Sequence, residues 1–199
     1  MLTWDDIQQY LGGAWQLMFG KADGLRRLDL SVDGFWNSFF AMVFALPPLL
    51  LMWIALANER MAEGSFRGPR SSLILAYGLI DFAAWILPLI GLAFAARPAG
   101  IADRLIAYVV SSNWASAIIA WIMLPIAFLT MFAPGSEVTD MLLLIVFLAT
   151  SAMMWRLTNA AIGKGPAVAT GVFSAMLVAS IATVVILSAV LGIGEAPRS

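Results

Sequence analysis

Histidine and cysteine are both absent from this 199-residue chain, and only 12% of its residues are charged. Without cysteine there is no disulfide and no thiolate ligand, so thiol usage says nothing about redox compartment. Without histidine, the commonest metal ligand and the usual proton shuttle are gone, haem ligation by histidine is excluded, and a membrane serine protease has no base. An intramembrane aspartyl protease needs two opposed acids, and only Asp81 sits deep in an apolar stretch. No cluster of acids suggests a metal held by carboxylates. Gly163, Lys164 and Gly165 lack the spaced glycines and the Ser or Thr of a phosphate-binding loop. With 11 basic and 12 acidic side chains, the chain has no dedicated nucleic-acid surface. The expectation is a non-enzymatic protein with no cofactor.

What is present is apolar mass. Hydrophobic residues make up 62% of the chain, more than a soluble globule could cover with polar surface. Five apolar stretches run from Phe39 to Ala57, Leu73 to Ala96, Tyr108 to Phe132, Met141 to Gly163 and Val168 to Ile193. Each approaches or exceeds the ~20 residues that cross a hydrocarbon core of ~30 Å at ~1.5 Å per residue. Lipid cannot satisfy free backbone groups and the pattern does not alternate as in a barrel, so the spans are helices. The fold class expected is an all-α polytopic membrane bundle of five transmembrane helices, preceded by an amphipathic interfacial helix. Residues 1–36 form the cytoplasmic lead-in and 37–199 the five-helix domain.

In the lead-in, Trp4, Ile7, Leu11, Ala14, Trp15 and Met18 recur at helical spacing, which predicts a helix over residues 4–19 lying on the membrane, its acidic polar face leaving apolar burial or protein contact to attach it. Thr3 is its N-cap, with Asp6 three residues on. Asp5 and Asp6 stand where a secretory signal would carry positive charge, so the first span is expected to stay as an anchor. The following segment, KADGLRRLDLSVDGF, reads as turns punctuated by Gly24 and Gly34. Ile101 to Ala107 reads as an interfacial approach, and APGSEVTD as an external loop.

Counting Lys and Arg outside the spans gives an orientation. With the amino terminus in the cytoplasm, Lys21, Arg26, Arg27, Arg97, Arg104, Arg156 and Lys164 lie inside, and Arg60, Arg67, Arg70 and Arg198 outside. The inner membrane of a bacterial-type cell, with the carboxyl terminus outside, is the localisation expected.

Asp81 is the sharpest candidate site. A carboxylate inside a span costs about 2.5–3.5 kcal/mol on insertion scales and implies a partner or a polar cavity. Tyr77 and Gly78 lie one turn before it and Ala84, Trp85 and Pro88 follow; Tyr77 could donate a hydrogen bond, and the small residues would admit another helix. Arg156 shares a face with Asn159 and Gly163. It either pairs with Asp81 or, the preferred reading, snorkels to the headgroups. Tyr108, Ser112, Ser116 and Ala120 recur every four residues with Asn113 beside them. Such a stripe lines a water path or, more often, glues helices together. Pro47, Pro48, Pro88 and Pro125 read as packing kinks rather than as openings for a cation. Gly171, Ala175, Ala179 and Thr183 form a ladder of small residues that lets a neighbouring backbone approach, within the chain or across an oligomer, with packing inside the chain the preferred use.

The segments RLIAYVVSSNWASAIIAWIMLP and MMWRLTNAAIGKGPAVATGVFSAM, with the amphipathic lead-in and the five closely spaced spans, resemble the Yip-domain family of membrane proteins. The resemblance covers nearly the whole chain in layout and implies architecture more than activity. Eukaryotic members associate with small GTPases and membrane traffic, and this chain lacks their long polar amino-terminal extension. Three functions follow as expectations. The first is a scaffold, assembly factor or accessory subunit, partnered by the lipid bilayer and by another membrane protein or a second copy of the chain. The second is a small transporter or channel using Asp81 as a proton or cation site, with Tyr77, Ser112, Asn113 and Ser116 along the route. The third, least favoured, is a lipid-acting enzyme using an interfacial acid such as Asp103.

Overall fold

Thr3 and Asp6 start the first helix, α1 (Trp4–Met18), by capping each other's end. The Thr3 hydroxyl accepts from the Asp6 amide at 3.2 Å while the Asp6 carboxylate accepts from the Thr3 amide at 2.9 Å, so two otherwise orphaned donors are satisfied. That amide holds the Asp6 carboxyl below its usual range. A 3-10 turn over Ala22–Arg27 and a short helix α2 (Val32–Ser38) follow, so Gly34 lies within a helix whose N-cap is Ser31. Five long helices complete the chain: α3 (Ala41–Ala62), α4 (Arg70–Ala95), α5 (Leu105–Phe132), α6 (Glu137–Ile162) and α7 (Pro166–Val190). The computed structural model describes residues 2–64, 66, 68–133 and 136–193. It is 84% helical, with no strand among the described residues. Arg67 and Arg198, used in the charge count, lie outside the described residues.

The five helices are long and apolar enough to cross a membrane, the first candidate span joining α2 and α3 over Val32–Ala62. The molecule is compatible with an integral membrane protein. Two boundaries differ from expectation. Glu137 and Asp140 fall in the first turn of α6, where acids suit the positive end of the helix dipole, and not in an external loop. α3 runs on past Ala57 to Ala62, taking in Glu59 and Arg60. The approach before α5 is shorter than expected, a single 3-10 turn over Ala102–Arg104.

The spans close on themselves. α3 packs on α5, α5 on α6, α6 on α7, α7 on α4 and α4 back on α3, giving a ring. The loops identify its two ends. Lys164, in the α6–α7 turn, donates to the Gly100 carbonyl and pairs with Asp103 at 2.5 Å, so the α4–α5 and α6–α7 connections share the end where α1 lies. At the other end Ile193 packs with Ala57 and Leu73.

Of the two attachments open to it, apolar burial and protein contact, α1 shows protein contact. Its apolar face is covered by protein: Ala14, Leu17 and Met18 are wholly buried, in one cluster with Val110, Trp114 and Ala117 of α5 and Leu157 of α6. An apolar face gains about as much from hydrocarbon as from protein, so close packing decides between them. Small residues supply it here. A Cβ on Gly13 would stand 2.8 Å from the Gly24 carbonyl, so the 3-10 turn can seat against α1 only because both positions lack a side chain. Trp4 and Trp15 are the exposed exceptions on α1. Trp36 of α2 is exposed as well.

Candidate functional site

Prolines inside α3 and α4 remove backbone donors, and neighbouring helices complete the carbonyls they leave open. Pro48 has no N–H for the carbonyl of Phe44, one turn earlier. The Trp121 indole of α5 donates to that carbonyl at 3.1 Å. Pro88 similarly leaves the Ala84 carbonyl open, and the Ser180 hydroxyl of α7 donates to it at 3.1 Å. These two carbonyls therefore serve as interhelical joints, in keeping with the reading of the prolines as packing kinks.

Inside the ring lies a cavity of about 580 Å³ to which all five spans contribute. Pro48 and Met52 come from α3, Asp81 and Trp85 from α4, and Tyr108, Ser112 and Ser116 from α5. Thr150 and Ser151 of α6 and Met176 and Ser180 of α7 close it. Among the described residues no arginine or lysine lines its walls.

Asp81 lies near the middle of α4 and opens on this cavity. One carboxylate oxygen accepts from the Trp53 indole N–H of α3 at 2.6 Å, a short, charge-assisted geometry. The ring reaches that position by lying over Gly78: a Cβ there would be 3.1 Å from the Trp53 ring carbon Cζ3. Phe82 meets the same indole edge-on, with ring centroids 5.9 Å apart. Gly78 thus admits another helix as its size suggested, but the donor is Trp53 and not Tyr77. Among the described residues Asp81 has no ion pair and no second hydrogen-bond donor. No buried side-chain oxygen or nitrogen lacks a partner among those residues, so the other Asp81 oxygen faces the cavity and not a sealed apolar wall.

The remaining candidates separate. Ser112, Ser116, Tyr108 and Ala120 line the cavity, the less favoured of the two uses of their spacing, while the Ser112 hydroxyl donates back to the Val109 carbonyl at 3.1 Å. Asn113 does not line it. Wholly buried, it accepts from the Trp85 indole at 2.9 Å and donates to the Ser38 hydroxyl at 2.9 Å, tying α4, α5 and α2 together behind the cavity wall. Tyr77 points away, to Arg60 at the far end of the ring. Arg156 is exposed on α6 and is not brought to Asp81, as its long aliphatic stem allowed; Asn159 is half-buried beside it and outside the cavity.

The small-residue ladder is corrected. Gly171 and Ala175 are exposed and Ala179 and Thr183 half-buried, and a Cβ on Gly171 would meet open space. The buried face of α7 instead carries Ala169 and Val172, with Ser180 reaching α4. Small size permits close packing without requiring it. Trp53 and Ser180 escaped sequence reasoning. A signal for Trp53 existed: a mid-span indole N–H must find an acceptor, and Asp81 was the charged one at matching depth. Comparison of the chain with protein-family models, curated proteins and solved structures returns no match.

Proposed function

We propose that the protein is a small, non-enzymatic membrane transporter or channel in which Asp81 binds a proton or a cation from the central cavity. The observation that carries this reading is the Asp81 carboxylate standing at the cavity wall, with one oxygen fixed by Trp53 and the other directed into the open space. A carboxylate at that depth is costly, and a protein working through helix packing alone gains nothing from a cavity around it. Ser112, Ser116 and Tyr108 supply further polar atoms along the α5 wall.

The proposed setting is a bacterial-type inner membrane with the α1 end in the cytoplasm. Lys21, Arg26, Arg27, Arg97, Arg104 and Lys164 at that end support it through the excess of positive charge typical of cytoplasmic loops. Membership of the Yip-domain family is proposed on layout alone. Assembly with a second membrane protein is a further reading, supported by the open face at Gly171 and Ala175 of α7.

The test uses vesicles containing the purified protein and a pH- or cation-sensitive dye. Wild-type protein should dissipate an imposed proton or cation gradient faster than empty vesicles, and Asp81→Asn should fall to the empty-vesicle rate. Equal rates for wild type and Asp81→Asn would remove Asp81 from any transport role.

A further inference from the structure

We infer that the ligand of the Asp81 cavity is an apolar organic molecule carrying a single positive charge, and not a bare metal cation. This rests on the reading of Asp81 as a binding site and names the substrate class.

Size is the first argument. A cavity of about 580 Å³ falls in the range of ~300–1,000 Å³ typical of small-molecule sites. A cation keeping about six water ligands of ~30 Å³ each fills only about a third of it. The walls are the second. Met52, Met123, Met154 and Met176 come from four different helices, and Phe147 and Phe173 join them. Thioethers and rings adapt to an apolar body and contribute little to a hard cation, which takes about six oxygen ligands. The carbonyls opened by Pro48 and Pro88, the natural oxygen donors of a broken-helix ion site, are already engaged by Trp121 and Ser180.

Charge is the third. Among the described residues Asp81 is the one carboxylate on the cavity wall, and no arginine or lysine lines it to neutralise that carboxylate or to receive an anion. A ligand with one cationic centre supplies the missing partner and leaves no buried charge over. A ligand with two would leave one unmatched. Trp85, on the same wall one turn along α4 from Asp81, adds aromatic surface of the kind that attracts a cation. One carboxylate holds either a proton or such a cation, so the two compete for the site.

Tetraphenylphosphonium and tetraphenylborate, nearly identical in size and shape and opposite in charge, test this directly with the full chain in detergent, by equilibrium dialysis and indole fluorescence. Tetraphenylphosphonium should bind saturably at one equivalent and bind more weakly as pH falls, while tetraphenylborate should fail to compete. Asp81→Asn should weaken binding by about tenfold or more, as loss of a desolvated ion pair does. Ser116→Phe, which fills the cavity and keeps the carboxylate, should abolish tetraphenylphosphonium binding in protein of native melting temperature. Equal binding of both probes, or unchanged affinity in Asp81→Asn of native melting temperature, overturns the inference. Saturable sodium binding that depends on Asp81, without any for tetraphenylphosphonium, overturns the ligand class and leaves the transport reading standing. Failure of sodium, protons and tetraphenylphosphonium alike removes both.

Discussion

Trp53 does for Asp81 what no neighbouring residue on α4 does: it brings a rigid donor from another helix to a carboxylate in an apolar layer. A hydrogen bond to an ionised group contributes about 1.5–3 kcal/mol. Trp53→Phe keeps most of the ring packing on Gly78 and Phe82 and removes only the N–H, so unfolding in detergent should lose about that amount. A loss well below 1 kcal/mol would mean that the carboxylate is satisfied from the cavity instead. At this scale the sequence was partly legible. Asp81 stood out because one acid in an apolar run has no inexpensive explanation, and Ser112 and Ser116 followed from a spacing of four on α5. Asn113 did not, because adjacent positions on a helix face different neighbours: Ser112 meets the cavity while Asn113 meets Trp85 and Ser38. Tyr77 was misassigned because helical adjacency gives a shared face, whereas the direction of a long side chain depends on what lies at its tip, here Arg60.

At the scale of elements, the joints at Ala84 and Phe44 make a specific prediction. Ser180→Ala strips the donor from the Ala84 carbonyl and should cost about 0.6–2 kcal/mol. In a Pro88→Ala background the restored N–H can serve that carbonyl, so Ser180→Ala should then cost close to nothing. A double-mutant cycle in thermal unfolding reads the difference, and equal costs in both backgrounds would show that the hydroxyl does not serve the carbonyl. Helix existence was legible from apolar length, yet partner choice was not. The α1 periodicity gives an apolar face, and hydrocarbon or protein can cover such a face equally well. The deciding contact, Gly13 against Gly24, joins two elements whose spacing carries no periodic signal. The α7 ladder failed for the same reason in reverse, since a small-residue face suits a neighbouring helix and open space alike.

For the whole molecule, the absence of cysteine makes orientation measurable without background labelling. With single-cysteine variants in intact inner-membrane vesicles of known sidedness, Ala99→Cys should react from the cytoplasmic face and Ala133→Cys from the opposite one. Reversal would invert the proposed orientation, and labelling of both from one face would contradict an odd number of crossings between them. The number of spans was readable from composition, because hydrocarbon imposes a minimum length on anything that crosses it. The ring order was not, because α3 packs on α5 and α4 on α7 across gaps in sequence that no local pattern records.

The Ser180 joint also limits how the ring can move. Sliding α7 along α4 by one turn, about 5.4 Å, would carry the hydroxyl away and leave the Ala84 carbonyl bare in an apolar layer. Tilting about the bond keeps it, so α7 can pivot against α4 about this pin but cannot slip along it.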